Sequence, residues 1–473
     1  MRVLVVPEFY RPDDASANGT VSDAVAWIRE WLDRDPRMHV YVLAPPRESA
    51  GYEPADLLGD RGRVTLVEAE PPLSDLDRRE PCTETGYSAA QLRAIRRRVF
   101  DVDAYVDVVV DQLRTGRTTL YKWLLDHSDQ WAAAVRPFDV VANVHDLQLP
   151  FKHRYCSYRN GFQFRMEAAA AAFADGVWFT AGVDADGFRE RATFLADDVV
   201  ESAAGDAVVA GSPIRFDRFD ERYADEPRWF HLAGSFWAKK NADRLFAVAE
   251  TLRERFGVRT LLTSMDPIPD RYRERDWVEA HGEASRGTYE RALDRGDVAV
   301  CASEYETMAR TPFEQAASGQ VLVVRDAPWV AECVPDDHPF AGSLDELPDL
   351  AARAVEGWSA AVEANRRLVD HARRVRGADA CGRRTHRDLR RRVEGKTERY
   401  GRGKRPAVVA RAARDCGDRF PLDDVLDRTA AYTGDGRPLP ERESYAFVDL
   451  VYTLRALGFE DEGNPGTPTF RRR

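Results

Sequence analysis

The feature that most constrains the fold of this chain is a repeated alternation of short apolar runs with longer amphipathic stretches. Several of the apolar runs in the first half are continuous, which is typical of strands buried on both faces. The intervening stretch 20–35, TVSDAVAWIREWLDRD, has its apolar residues at helical spacing. This alternation predicts a parallel, doubly wound α/β sheet, with strands within 2–9, 39–45, 64–70, 140–146, 176–182 and 207–213.

The same alternation begins again in the second half, after a charged stretch at 215–228 that contains no strand-like run. We interpret that stretch as a linker between two similar α/β units, and two such units imply a ligand cleft between them. The charged region 75–130 is expected to be a helical insertion that forms one wall. The strands predicted for the second unit lie within 229–236, 258–264, 297–303 and 320–326.

The length of 473 residues also favours several domains. We predict an N-terminal Rossmann-like domain at 1–215, a second one at 216–375, an arginine-rich helical connector at 376–405 and a small module at 406–473. In this module, helix-like segments precede a Gly/Pro-punctuated ribbon that ends in Arg471–Arg473, which predicts a helical, winged-helix-like fold. A protein partner is one role open to the module, and nucleic-acid binding is not expected.

The charge balance limits the classes of partner. The net charge is −11, and nearly all the positive charge is arginine. An acidic, lysine-poor surface fits a protein that stays soluble in a salty cytosol, so we expect a halophilic source and no binding of nucleic acid through the whole surface. The six cysteines form no CxxC pair, so neither a zinc site nor a disulfide framework is expected.

The sequence offers no signal for membrane insertion or secretion. No apolar run approaches the roughly 18–20 residues that a membrane span needs. The N-terminus enters a strand-like segment without a basic lead or a cleavage site. We therefore expect a cytoplasmic protein, and a peripheral position at the inner face of the membrane stays open.

The most informative chemical pattern is EYETMARTPFEQAASGQVLVV at 304–324, in which Glu306 and Glu314 stand eight positions apart. Thr311 to Glu314 fits a capping box with Pro312 at the first helical position. In that interpretation the Glu314 carboxylate accepts a hydrogen bond from the Thr311 backbone N–H. In the rival interpretation the helix N-terminus faces a ligand: its free N–H groups suit a phosphate and the carboxylate accepts from sugar hydroxyls.

The segment YETMARTPFEQAASGQVLVV resembles the Glu-x7-Glu motif of retaining GT-B glycosyltransferases, and of glycosyltransferase family 4 especially. In that family a strand ends in serine, the two glutamates follow, and a helix leads to a glycine and a strand. Ser303 and Gly319 fall in this register. The first glutamate of the family lies at the donor sugar and the second holds the nucleotide ribose, so the resemblance implies these roles for Glu306 and Glu314.

The segment HLAGSFWAKKNADRLF at 231–246 resembles the phosphate-binding segment of the same family, with Gly234 at a strand end and Lys240 six residues later. A strand-end glycine allows the backbone to approach the diphosphate, and a lysine neutralises the charge that grows on the leaving group. The family usually has arginine where this chain has Ser235.

Three further segments follow the order of the family over residues 1–375. Gly19 at the start of the first predicted helix corresponds to the loop that meets the donor phosphate or the acceptor. His145, at the carboxyl end of a predicted strand, corresponds to a histidine near the transferred sugar. The segment around His281–Gly282 would border the nucleotide base.

The resemblance implies a GT-B fold, in which two Rossmann-like domains face a cleft and the second binds the nucleotide. It implies transfer of a sugar from a nucleotide-sugar donor to a hydroxyl of a glycan, lipid-linked or small-molecule acceptor. Retained configuration is expected, with no metal and no cofactor besides the donor. The implied catalytic residues are His145, Lys240 and Glu306, and the implied donor-binding residues are Gly19, Gly234, Ser235, Lys240, Glu306, Arg310 and Glu314.

Two departures from the family pattern leave alternatives open. Ser235 replaces the usual arginine, and Thr307–Arg310 replace a Gly-Phe-Gly turn that contacts the donor sugar. These departures favour a catalytically inactive GT-B scaffold that binds or assembles partners, whereas Lys240 and the glutamate pair favour an enzyme. A sugar-nucleotide epimerase on the same fold is a third alternative. Arg310 either meets a charged sugar or is solvated.

Two D-x-D pairs, at 101–103 and 184–186, superficially resemble the metal-binding motif of another glycosyltransferase class. In so aspartate-rich a chain such pairs arise easily, and the second fits helix N-capping. No metal site is therefore expected.

Overall fold

The computed structural model describes residues 1–7, 19–46, 62–68, 73–74, 84–86, 106–112, 139–144, 165, 168–172, 174–234, 236, 240–306, 309–400, 406–432, 445–463 and 468–473. The chain divides into two compact units. Unit 1 comprises Met1–Phe179, Asp184–Ala210 and Gly382–Arg473, and unit 2 comprises Thr180–Val183 and Gly211–Cys381.

Unit 1 contains a parallel sheet built from the apolar runs of the first half. Its strands and those of a small antiparallel pair, β4–β5, are β1 (Arg2–Val6), β2 (His39–Ala44), β3 (Val64–Glu68), β4 (Leu73–Ser74), β5 (Glu84–Gly86), β6 (Val108–Asp111), β7 (Asp139–Val144), β8 (Gly176–Phe179) and β9 (Val208–Val209). The parallel order is β3-β2-β1-β6-β7-β8-β9. The described helices of this part are α1 (Gly19–Arg34), α2 (Gly182–Arg191) and α3 (Asp197–Gly205).

The prediction of a helical insertion at 75–130 is wrong at β6, which is a strand within that range. It pairs with β1 on one side and with β7 on the other, and all four of its residues are buried. The strand contains only four residues, and aspartates interrupt the sequence on both sides of its valines. The high charge of the surrounding segment therefore concealed a central strand.

Unit 2 contains a second parallel sheet, of order β12-β11-β10-β13-β14-β15. Its strands are β10 (Trp229–Ala233), β11 (Arg259–Thr263), β12 (Val278–His281), β13 (Val298–Cys301), β14 (Val321–Arg325) and β15 (Ala341–Gly342). No strand lies between 215 and 228, where a short 3-10 helix occupies Phe216–Arg218. Both large sheets therefore have the doubly wound strand order that reverses direction at one point.

Helices cover both faces of the sheet in unit 2, which explains why its apolar runs are continuous. Val298 and Val300 of β13 share a core with several of these helices, whereas Ala299 and Cys301 lie in a separate core on the other face. The helices of unit 2 are α4 (Ala242–Phe256), α5 (Asp270–Arg273), α6 (Arg286–Arg295), α7 (Arg310–Ala317), α8 (Leu347–Glu356) and α9 (Trp358–Arg376). The first core includes residues of α4, α5, α8 and the first half of α9, and the second includes residues of α7 and the second half of α9.

After α9 the chain continues as the long helix α10 (Ala378–Tyr400), whose residues from Gly382 onward belong to unit 1. Trp31 and Trp178 pack edge to face in the core of unit 1, with ring centroids 6.1 Å apart. The Trp31 indole N–H donates to the Thr385 hydroxyl at 2.8 Å, and that of Trp178 donates to Asp388 at 2.8 Å. These bonds satisfy the two buried indoles and dock α10.

The last part of the chain has the order helix, strand, helix, helix, strand, strand. Its elements are α11 (Pro406–Cys416), β16 (Arg419–Pro421), α12 (Leu422–Thr429), α13 (Tyr445–Ala456), β17 (Phe459–Asp461) and β18 (Thr469–Arg472). The antiparallel strand order β16-β18-β17 matches the predicted winged-helix-like module. None of the helices in the described part of the chain is both long and apolar enough to cross a membrane.

Candidate donor-binding site

The candidate site lies in unit 2 at the carboxyl ends of β10 and β13. These two strands are neighbours although two other strands separate them in the chain, so the strand order reverses between them. Open α/β sheets bind ligands at this point. Gly234 follows β10 with φ 129°, a conformation that favours glycine, and its N–H donates to the Thr263 carbonyl at 3.0 Å.

Lys240 and Glu306 form a direct ion pair at this point. Lys240 precedes α4, and Glu306 follows β13 after a short loop. Asn241, in a left-handed conformation at the start of α4, donates from its side chain to the Ala302 carbonyl at 2.8 Å. Two segments about sixty positions apart are therefore joined by both an ion pair and a hydrogen bond.

The ion pair controls the charge of the lysine. Burial alone would lower the pKa of Lys240, but the Glu306 carboxylate outweighs burial and raises it. Lys240 therefore carries a full positive charge at neutral pH. The nearby Cys301 thiol has a raised pKa because it is buried and faces the charge of Glu306.

The predicted capping box at Thr311–Glu314 is wrong, because α7 begins earlier than the sequence suggested. The helix begins at Arg310, and its N-cap is Ala309 at φ 42° and ψ 37°, without a side-chain cap. Because the chain enters the helix before Thr311, that residue is already helical and cannot serve as the N-cap. Glu314 therefore lies in the second turn and is buried, with 4% of its surface exposed.

Two arginines compensate the buried charge of Glu314. Arg286 Nη1 lies 3.4 Å from Glu314 Oε2, and Arg310 Nη2 lies 3.7 Å from Glu314 Oε1. The Arg310 side chain is 21% exposed, so it is neither freely solvated nor deeply buried. The sequence pointed to Arg310 but not to Arg286, which begins α6 after the N-cap Ser285. The only signal for Arg286 was this capping serine.

The remaining predicted site residues have different positions. Gly19 is the first residue of α1 in unit 1. His281 ends β12 and its ring contacts the Glu279 carboxylate at 3.0 Å. His145 and Ser235 lie outside the described residues. Among the residues whose positions are described, no three His, Cys, Asp or Glu side chains group closely enough to hold a metal ion.

Two parallel, doubly wound sheets and the similarity to solved structures define the class of fold, which is GT-B as the sequence predicted. No protein-family model matches the sequence, and no curated protein matches it. The fold assignment therefore depends on similarity to solved structures.

Sucrose-phosphate synthase from Thermosynechococcus elongatus is 14% identical and aligns with a TM-score of 0.60 over 83% of this chain and 98% of its own. HepE from Anabaena in complex with UDP is 12% identical, with a TM-score of 0.56 over 83% of this chain and 100% of its own. The catalytic domain of starch synthase IV from Arabidopsis thaliana, bound to ADP and acarbose, is 12% identical, with a TM-score of 0.56 over 83% and 99%. At these identities the similarity establishes the fold.

Proposed function

We propose that this protein is a glycosyltransferase that moves a sugar from a nucleotide-sugar donor to a hydroxyl of a glycan, lipid-linked or small-molecule acceptor. The observation that carries the proposal is the Lys240–Glu306 ion pair at the strand reversal of unit 2. In the family motifs that this sequence resembles, the residues corresponding to Lys240 and Glu306 both lie at the donor. Solved structures of the same fold hold UDP or ADP, which supports a nucleotide ligand.

The proposed roles follow from charge and position. The Lys240 ammonium stabilises the negative charge that develops on the departing diphosphate, and the positive φ of Gly234 lets the backbone approach the same phosphates. Glu306 accepts hydrogen bonds from the donor sugar and Glu314 from the ribose. We assign a sugar contact to His145 and a donor contact to Arg310.

The finer features of the reaction are also proposals. We propose retention of configuration, as in family 4, on the strength of the Glu-x7-Glu motif. A metal-independent reaction is proposed because Lys240 supplies positive charge where the diphosphate would bind.

The test is a titration of the protein with UDP, ADP and GDP at high salt, followed by an assay for nucleotide release from the corresponding sugars with and without acceptors. In Lys240→Ala we expect binding of the preferred diphosphate to weaken at least about tenfold, because a hydrogen bond to a charged group is lost. Arg244→Ala is the matched control, since Arg244 lies on α4 but forms an exposed ion pair with Asp345.

Three results would overturn the proposal. A wild-type protein that binds none of the nucleotides is not a glycosyltransferase of this kind. Binding without transfer or hydrolysis would identify the inactive scaffold. Interconversion of the donor without an acceptor would identify an epimerase.

A further inference from the structure

The contacts around Glu314 point to a role for Arg286, a residue that the family resemblance does not assign. The Glu314 side chain is only 6% exposed, and a buried carboxylate needs compensating partners. Arg310 lies on the same helix, four residues earlier, whereas Arg286 comes from α6. Arg286 therefore ties the Glu314 carboxylate to a second element, α6, on which the buried Tyr289 hydroxyl also lies near that carboxylate.

Arg286 is itself held in place by two further contacts. Its Nε donates to Glu290 Oε1 at 2.8 Å, and its guanidinium carbon lies 5.3 Å from the ring centroid of Tyr289. Burial alone would lower the pKa of Arg286, but Glu314 and Glu290 raise it. Arg286 is therefore a fixed, permanently charged group.

The arrangement leaves part of the Glu314 carboxylate unused. An ionised carboxylate has about four acceptor positions on its two oxygens. Among the described residues, Arg286 donates to Oε2 at 3.4 Å and the Tyr289 hydroxyl lies near the same carboxylate, whereas Arg310 lies 3.7 Å from Oε1, beyond hydrogen-bond distance. The carboxylate therefore retains acceptor capacity. A pair of neighbouring hydroxyls, as on a ribose, could donate one hydrogen bond to each oxygen.

We propose that Arg286 is a positioning residue that fixes the Glu314 carboxylate to receive the 2′- and 3′-hydroxyls of the donor ribose. This inference rests on the proposed function, because it assigns a partner to the ribose contact. Arg286 acts through Glu314 and does not touch the nucleotide. Its effect should therefore appear in the recognition of the ribose hydroxyls and nowhere else in the ligand.

The experiment compares the affinity for the preferred nucleoside diphosphate with that for its 2′,3′-dideoxy analogue. We expect the wild type to prefer the ribose form by about tenfold or more, because two hydrogen bonds to a charged group are lost in the analogue. In Arg286→Ala the preference should fall to a few-fold, whereas affinity for the analogue should stay within about twofold of the wild type. Arg286→Lys keeps the charge without the forked geometry and should lie between the two.

Arg291→Ala is the matched control, since Arg291 lies on the same helix and its side chain donates a hydrogen bond to the exposed Thr288 hydroxyl at 3.1 Å. We expect it to keep the full preference. The double variant Arg286→Ala/Glu314→Gln should show the same preference for the ribose form as Glu314→Gln alone, because both substitutions disrupt the same contact with the ribose hydroxyls. Additive losses would show that Arg286 contacts the nucleotide directly and would overturn the inference.

Failure of the inference is distinguishable from failure of the proposed function. A wild type that binds no nucleoside diphosphate removes the proposed function. A wild type that binds one but ignores the ribose hydroxyls, or an Arg286→Ala protein that keeps the full preference, removes only the role of Arg286. Arg286→Lys provides the same comparison if the alanine variant does not fold.

Discussion

Gly319 follows α7 with φ 91°, a left-handed conformation that strains any residue with a side chain. A Cβ at this position would lie 1.9 Å from the Arg222 carbonyl oxygen, which is backbone and cannot move aside cheaply. We therefore expect Gly319→Ala to lower the free energy of unfolding by more than about 2 kcal/mol. Urea unfolding measures the change.

Gly257 provides the control for this prediction. It ends α4 with φ 71°, but no heavy atom lies within 4 Å of its hypothetical Cβ. Gly257→Ala should therefore cost only the conformational strain of about 1–2 kcal/mol. Equal losses in the two variants would show that the backbone around Arg222 relaxes freely.

His231 makes the stability of unit 2 depend on pH. Its ring is fully buried between Thr263 and Gln320, and burial lowers the pKa of His231 from 6.5 to about 3. Below pH 6.5 the unfolded chain therefore binds a proton that the folded chain excludes, so stability falls as the pH falls. From pH 7 to pH 5 this one group should remove about 2 kcal/mol from the free energy of unfolding.

The measurement is urea unfolding of the wild type and of His231→Gln at both pH values. The variant lacks the titrating ring, so its loss between pH 7 and pH 5 should be about 2 kcal/mol smaller than that of the wild type. An identical loss in the two proteins would mean that His231 takes up a proton in the folded state.

At the scale of elements, the sequence predicted best where an apolar run is long and buried on both faces. Strands β1, β2, β10 and β14 lie within predicted runs for this reason. Strand β12 has the sequence VEAH and lies at the edge of its sheet with all four residues half-buried, so it has no apolar pattern to detect. Helix α7 was predicted to begin later than it does, because nothing in the sequence shows that Ala309 is left-handed.

The contact between β6 and α13 depends on a buried carboxylate. Asp107, which precedes β6, accepts hydrogen bonds from the Tyr452 hydroxyl at 2.7 Å and from Arg455 at 2.7 Å. Burial alone would raise the pKa of Asp107, but Arg455 outweighs it and holds that pKa well below its usual range. Asp107→Asn leaves Arg455 buried without its counter-charge, so we expect a loss of about 3–5 kcal/mol in unfolding free energy.

The control for Asp107→Asn is Arg419→Ala in the same unit. Arg419 pairs with Glu462 at 2.9 Å, but its side chain is 64% exposed, so its loss should cost at most about 1 kcal/mol. Thermal unfolding of both variants checks the contrast. A similar loss in the two would mean that water reaches Arg455 once its partner is neutral.

For the whole molecule, only those site residues that belong to a recognisable motif could be predicted from the sequence. Lys240 and Glu306 were identified by resemblance, and the strand order explains why they meet. Arg286 belongs to no motif, and its partner Glu314 is 28 positions away. Its role depends on how α6 and α7 pack, which no local pattern of residues specifies.

Residues near the end of the chain form buried ion pairs with residues of the first half. Arg2 in β1 forms an ion pair with Asp461 in β17 at 2.8 Å, and both side chains are almost fully buried. The pair of Asp107 and Arg455 likewise joins the sheet of unit 1 to the winged-helix-like module. The module therefore supplies counter-charges to the interior of unit 1.

Removal of residues 406–473 would take away these ion-pair partners of Arg2 and Asp107. Loss of the partner of a buried charge costs about 3–5 kcal/mol, and two such losses approach the whole stability of a typical domain. We expect the backbone amides of β1 and β6 in the truncated chain to lose most of their protection against hydrogen exchange. Those of β10 and β13 should keep it, since the described residues of the two cores around β13 include none from the module. Full protection of β1 and β6 in the truncated chain would show that unit 1 does not need the ion pairs to the module. Loss of protection in β1 and β6 but not in β10 and β13 would show that only unit 1 depends on them.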